Sequence, residues 1–241
     1  MKPRLLDLFC GAGGAAVGYH RAGFDVVGVD IKPQPRYPFE FHQADALTFP
    51  LDGFHAIHAS PPCQRYSTMT KKWGRSDDHP DLVEPVREHL EVIEAPFVIE
   101  NVVGAPLVNA TMLCGSMFGL GAEGYQLRRH RLFEPHGFDL WPPAGCNHEG
   151  QALPVYGHPG GSSKRDGLKF PGTSAWKAGM GIDWMTTPEL TESIPPAFTE
   201  WVGARLIANL VCHAADEYTS PDRKGDRNGD TNRSTGTPQA T

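Results

Sequence analysis

The sequence predicts an α/β protein built on a doubly wound, mostly parallel sheet. Three observations carry this. Short apolar runs alternate with helix-period segments over the first hundred or so residues, a glycine turn joins the first run to the first helix, and polar residues stand just past the ends of the runs. Residues 4–9 form the first strand, Gly11-Ala12-Gly13-Gly14 a turn, and residues 15–22 a helix stopped by Gly23. Residues 25–29 form a second strand closing on Asp30, and residues 39–43 and 55–59 two more. Leu82, Val86, Leu90 and Ile93 give residues 81–94 a helical spacing, and residues 97–100 make a further buried strand.

Past residue 133 the texture changes. Residues 134–175 are rich in Gly, Pro and His without sustained period, which predicts a very small irregular insert. Residues 195–213 return to helical spacing through Phe198, Trp201, Val202, Leu206, Ile207 and Leu210. From Asp216 the chain is polar and predicts disorder. The expected organisation is a core over 1–133, a reduced insert over 134–190, a helix completing the core over 191–215, and a tail over 216–241.

Of 241 residues, 39% are hydrophobic, enough for a real core, and no apolar run reaches membrane-spanning length. The N-terminus leads directly into a strand, so the expectation is a cytoplasmic protein with no membrane partner. Five cysteines form no CxxC pair and are odd in number, which favours reduced thiols over a disulfide framework. The net charge of −6 excludes indiscriminate nucleic-acid binding, so any such surface must be local. Its candidates are Lys71, Lys72 and Arg75; Arg128, Arg129 and Arg131; and Lys164, Arg165 and Lys169.

Strand, Gly11-x-Gly13-x-x-Ala16, helix and then Asp30 is a nucleotide-binding pattern. The glycines let a ligand approach backbone, the helix N-terminus favours negative charge, and Asp30 can accept from ribose hydroxyls. The pattern fits NAD, FAD or S-adenosylmethionine, and it also fits a glycine turn that holds nothing. Asp45 stands where it can meet an adenine amino group or cap a helix. At the other end of the chemistry, Ser60-Pro61-Pro62-Cys63-Gln64 holds a thiol on a stiff turn just past a strand, and Glu100-Asn101-Val102 follows another strand. Strand ends converge in such sheets, so Cys63 and Glu100 are expected in one crevice, as a nucleophile and a carboxyl able to bind a heteroaromatic ring nitrogen.

The blocks DLFCGAGGAAVGYHRAGF (7–24), VDIKP (29–33), ASPPCQRYS (59–67), IENV (99–102) and QLRRHRLF (126–133) resemble the cytosine-5 DNA methyltransferase family, in its short solitary form carried by bacteriophages. The resemblance implies a Rossmann-like class I methyltransferase fold with S-adenosylmethionine as cofactor. It also implies double-stranded DNA as partner, without an obligate protein partner and as a monomer. By resemblance, Cys63 attacks carbon 6 of a flipped-out cytosine, Glu100 binds ring nitrogen 3 and the exocyclic amine, and Arg131 binds the carbonyl oxygen. Phe9, Gly11, Gly13, Gly14, Asp30, Ile31, Asp45, Ala46, Pro61 and Ile194 fall at cofactor positions. Pro62, Gln64, Ser67, Lys71, Lys72, Arg75, Asn101, Arg128, Lys164 and Arg165 fall on the substrate and DNA side.

Three departures accompany the match. The Gln-x-Arg-x-Arg block is longer by one residue, so its middle arginine is Arg128 counted forward or Arg129 counted back. The C-terminal Gly-Asn-x-Val block reads Thr191-Glu192-Ser193-Ile194. The target-recognition region is very short. Within it, residues 156–165 read as a loop able to follow a DNA groove or as plain surface, and Trp176, Met180, Trp184 and Met185 are expected to pack on the main domain. His136, Cys146, His148 and His158 match no standard zinc spacing, so no metal is expected. The competing readings are a tRNA cytosine-5 methyltransferase, an inactive module that binds S-adenosylmethionine or DNA, and an NAD oxidoreductase.

Overall fold

The computed structural model describes residues 2–67, 74–156 and 171–219. In chain order the elements are β1 (Arg4–Leu8), α1 (Gly14–Ala22), β2 (Asp25–Asp30), β3 (Glu40–Gln43), β4 (Ala56–Ala59), α2 (Val83–Leu90), β5 (Phe97–Asn101), β6 (Thr111–Leu113), β7 (Gly121–Ala122), β8 (Tyr125–Gln126), β9 (Arg131–His136), β10 (Gln151–Ala152), α3 (Thr173–Met180), α4 (Thr187–Glu192) and α5 (Pro196–Thr219). Seven strands form the main sheet in the order β3-β2-β1-β4-β5-β9-β6. The first five run parallel, and β9 is antiparallel to both β5 and β6. This is the doubly wound, mostly parallel α/β fold the sequence predicts.

Near-continuous apolar strands are what a sheet covered on both faces requires. On one face Leu5, Val26, Ala56 and Val98 meet Tyr19 of α1 and Phe198, Val202 and Leu206 of α5. On the other, Leu6, Leu8, Val27, Val29, Ile57 and Ile99 meet Val86 and Leu90 of α2. Each fully buried Leu, Ile or Val contributes roughly 1.5–3 kcal/mol. Helices α1 and α5 touch backbone to backbone. A Cβ at Gly18 would lie 2.1 Å from Thr199 Oγ1 and 2.2 Å from the Pro196 carbonyl, so only glycine fits there.

Four expectations change. The helix expected over 81–94 is shorter, because Asp81 accepts from Tyr66 and from the Val83 N–H instead of joining the helix, and Glu91 closes it. The core does not end at 133: β9 runs to His136 and completes the sheet. The segment after it is not irregular throughout. Leu153, Val155, Trp176, Met180, Met185 and Leu190 build a small core of their own around α3 and α4, against Leu127 and Ala12, and Trp184 Nε1 donates to the Ala12 carbonyl at 2.8 Å. The last helix continues to Thr219, past the expected onset of disorder at 216, while the tail from 220 lies outside the described residues. Among the described residues, no helix is long and apolar enough to cross a membrane.

Candidate active site

The first βα turn is built by backbone conformation. Phe9 (φ 59°), Gly11 (φ 49°) and Gly13 (φ 85°) all take positive φ, so the chain reverses tightly from β1 into α1. Phe9 carries this without being glycine, a cost of order 1–3 kcal/mol that marks a site rather than a plain connection. Asp30, at the end of β2, accepts from the Gly11 N–H at 3.0 Å and the Lys32 N–H at 2.9 Å, which aims its carboxylate along the turn. Beside it Ile31 is 66% exposed, an apolar surface at a polar edge. Buried Ile194 closes the other side, its carbonyl so near Gly14 that a Cβ there would lie 2.5 Å away. Asp45 is exposed, and its carboxylate accepts from the Leu47 N–H. The Ala46 side chain packs into the core, so only its backbone can meet a ligand.

The thiol end lies on the same edge of the sheet. Past β4, Cys63 opens a turn in which its carbonyl accepts from the N–H groups of Tyr66 and Ser67, both at 3.1 Å. Asn101, buried at the end of β5, donates to the Pro61 carbonyl at 2.9 Å and accepts from the Val102 N–H. It ties the Cys63 loop to the strand bearing Glu100. With 1% exposure and both ends of its amide engaged, it cannot meet DNA, which corrects its expected place among the DNA-contacting residues.

Antiparallel β9 and the residues leading into it supply the cations. Its pairing sets Asn101 opposite Leu132, so the start of β9 meets the end of β5, and Arg131 Nε lies 3.1 Å from Glu100 Oε1. The contact is ionic but off-axis, and that buried oxygen has no aligned hydrogen-bond donor. Arg129 is the second cation. It donates to the carbonyls of Val155 and Thr191, leaves Nε unpartnered, and interacts electrostatically with Cys63, Glu100 and Glu192. Glu192, standing where the family carries Asn, thus acts as a counter-charge to this arginine. Arg128 turns away, toward Gln126 and the carbonyls of His148 and Gly150. Of the two candidates for the middle arginine, the structure brings Arg129 to the site.

Burial pushes the Cys63 thiol above its ordinary value, Arg131 and Arg129 pull it back, and Glu100 adds to the rise. Burial also raises Glu100, against the opposing pull of Arg131, the Ser60 hydroxyl and Arg129. For Arg129 burial and the like charge of Arg131 push downward, and the guanidinium stays cationic.

Three residues at this site have no role in the sequence reading. Ser60 bonds Glu100, His58 Nε2 lies 2.8 Å from Ser60 Oγ, and the Tyr19 hydroxyl lies 2.9 Å from His58 Nδ1. One proton arrangement satisfies every member: Tyr19 O–H to Nδ1, Nε2–H to Ser60, Ser60 O–H to the carboxylate. The signal was a histidine inside the apolar run of β4. Burial lowers the His58 pKa from 6.5 to about 3. A histidine depressed in this way refuses a proton that the unfolded chain accepts. Stability should therefore fall as pH drops from 6.5 toward 3, by up to ~1.4 kcal/mol per unit. Urea midpoints at about pH 7.5 and about pH 5 should show this slope, and His58→Gln should flatten it.

Gln64 and Ser67 lie in the turn that Cys63 opens, and Pro62 precedes it. Arg75 is exposed and pairs with Asp78 at 3.2 Å. Lys71, Lys72, His158, Lys164 and Arg165 lie outside the described residues.

Residues 3–111 match the model of the C-5 cytosine-specific DNA methylase family. The chain is 31% identical over 125 residues to Type II methyltransferase M.AquIA of Picosynechococcus sp., covering 43% of this chain and 50% of that protein. To Type II methyltransferase M.HgiDI of Herpetosiphon aurantiacus it is 31% identical over 142 residues, 52% of this chain and 44% of that one. The chain thus spans half the length, or less, of these relatives. A solved E. coli structure described as a DNA modification methyltransferase encoded within a prophage superposes with a TM-score of 0.58, covering 87% of this chain and 99% of that one. At 14% identity that likeness speaks for the fold alone. The motif blocks and the match over residues 3–111 agree in their likeness to the cytosine-5 DNA methyltransferase family, and the solved structure shares the fold.

Proposed function

We propose that the protein is a DNA (cytosine-5)-methyltransferase that uses S-adenosylmethionine and works through a covalent Cys63 adduct. The observation that carries this is the meeting of Cys63, Glu100, Arg131 and Arg129 at one edge of the sheet. The Gly11–Gly14 turn opens on the same edge.

The chain's residues fit the cofactor. The N-terminus of α1 offers backbone N–H groups to its carboxylate, Asp30 an acceptor to its ribose, and Ile31 and Ile194 apolar surface. When bound, S-adenosylmethionine would supply the methyl group that carbon 5 accepts.

The remaining work belongs to side chains. Cys63, as thiolate, bonds to carbon 6 of a cytosine drawn out of the duplex. Glu100 delivers its proton to nitrogen 3 as that bond forms, so the ring never carries a full negative charge. Arg131 binds the ring's carbonyl oxygen and holds positive charge beside the thiolate, and Arg129 adds a second cation. Nitrogen 3 then returns its proton to Glu100, carbon 5 gives its proton to water, the carbon–sulfur bond breaks with its electron pair returning to Cys63, and the aromatic system is restored. Pro62, Gln64 and Ser67 would line the DNA side, with Lys71, Lys72, Arg75, Lys164 and Arg165 as candidate phosphate contacts.

The pH dependence follows from the raised groups. The reactive form, thiolate with carboxylic acid, carries the same number of protons as thiol with carboxylate, so its share is constant between the two pKa values. The pH profile of kcat/KM should be a plateau whose acid limb is set by Glu100, raised by burial above the ordinary carboxyl range, and whose alkaline limb is set by Cys63, raised by burial above the ordinary thiol. Glu100→Gln should remove the plateau itself.

Bisulfite sequencing of plasmid DNA from cells expressing the protein tests the proposal and reports the sequence context. Methyl incorporation into duplex DNA and into tRNA, measured side by side, separates the two nucleic-acid substrates. Cytosines left unconverted only in the presence of active protein support the proposal. An unmethylated plasmid beside methylated tRNA would overturn it.

A further inference from the structure

We propose that Cys114, His130, Cys146 and His148 form a structural zinc site that clasps residues 137–150 to the edge of the main sheet. One donor atom from each residue comes together in a group no wider than 4.8 Å. The Cys114 Sγ to His148 Nε2 distance is 3.3 Å, and Cys146 Sγ to His130 Nε2 is 3.5 Å. Zinc bonds of about 2.3 Å to sulfur and about 2.0–2.1 Å to nitrogen place sulfur and nitrogen roughly 3.5 Å apart in a tetrahedron. The donors therefore stand at coordination spacing without rearrangement of the backbone.

Two of the donors are set by the sheet. Leu113 pairs with Arg131, so Cys114 and His130 are the next cross-strand pair beyond the ladder. The other two arrive on a stretch without helix or strand between β9 and β10, in a Cys-x-His step. That stretch is already steered there, by the Asn147 N–H on Ser116 Oγ at 3.2 Å and by Arg128 on the carbonyls of His148 and Gly150. His136 takes no part, being engaged with Glu134 at 2.7 Å and stacked on Phe97, which is why the histidine and cysteine spacing alone did not disclose the set.

The donor chemistry selects the ion. Two thiolates and two imidazoles in a tetrahedron suit zinc and not magnesium or calcium, which take oxygen. Two thiolate charges neutralise the dication, and four protein ligands leave no open position, so the ion would hold structure rather than carry out chemistry. What it would hold matters to the reaction: His130 lies between Arg129 and Arg131, and the clasp pins the segment that leads from these arginines into the small target-recognition region.

The test is metal content, which does not depend on methyl transfer. Protein expressed with zinc and purified without chelator should carry about one zinc per chain by mass spectrometry. Replacement by cobalt should give the intense visible bands of a tetrahedral thiolate complex. Cys114 is buried, so the exposed pair carries the variants. Cys146→Ser/His148→Ala should retain less than about a tenth of the metal, while Cys212→Ser, an exposed cysteine on α5, should keep it. Three results would overturn the proposal: protein that neither carries nor takes up zinc, a double variant that binds as the parent does, or a Cys114–Cys146 disulfide in protein handled without reductant.

Discussion

Cys63→Ala should abolish methyl transfer, lowering kcat by at least about 10³-fold, because the proposed bond to carbon 6 is made by the sulfur that the change removes. The fold should survive the change. The turn after Cys63 is held by its carbonyl and by Asn101 on Pro61, neither of which involves the thiol. The variant should therefore melt near the parent temperature and still bind duplex DNA. DNA carrying 5-fluorocytosine gives the sharper readout. The carbon–fluorine bond blocks the final elimination, so the parent should be trapped as a complex stable to denaturant, and the variant should not. A variant with parent-like turnover, or a parent that forms no trapped complex on methylated sequences, would remove Cys63 from the mechanism.

Arg87→Met should destabilise the protein by about 3–5 kcal/mol, the cost of leaving a buried carboxylate without its partner. Arg87 on α2 grips Glu134 on β9 through Nε and Nη2, both at 2.8 Å, and Glu134 is 1% exposed. His136 and the Val108 N–H complete the set at 2.7 Å each. The pair fastens β9, which runs against its neighbours in the main sheet and begins at Arg131. Burial by itself would raise the Glu134 pKa, but Arg87, His136 and the Val108 N–H outweigh it and hold the group below its ordinary value. A depressed carboxylate stabilises the fold above its unfolded pKa, and that contribution is lost as pH falls through the folded one. The penalty of Arg87→Met should thus be largest near neutral pH and shrink in acid as Glu134 takes up a proton, earlier in the variant than in the parent because burial then acts without the Arg87 charge. Denaturant midpoints of Arg87→Met and of Arg87→Met/Glu134→Leu check the account. The double variant should recover most of the loss, since two apolar groups leave no charge stranded.

Much of this site was open to a reader of the sequence, for local reasons. The strand–glycine–helix order, the acid closing β2, the two prolines before Cys63 and the acid at the end of β5 are patterns within one element and its flanking turn. Parallel strands then guarantee that such ends share an edge. The capping box of Thr186 and Glu189 before α4 is also local and readable, with Pro188 inside the first turn. It was masked by the surrounding Gly- and Pro-rich texture.

The sequence by itself determined the fold class and set Cys63, Glu100 and the glycine turn just past strand ends, because period and spacing along the chain encode those places. Only the tertiary structure decided which arginine joins Cys63, since Arg128 and Arg129 differ by one position and the stretch leading into β9 sends them to different partners. The structure also turned Asn101 from an expected DNA contact into the clamp on Pro61. It joined Tyr19, His58 and Ser60 behind Glu100, and gathered Cys114, His130, Cys146 and His148 from three segments. These are consequences of cross-strand register and of one antiparallel strand, and the pairing of distant segments leaves no period in the chain that carries it.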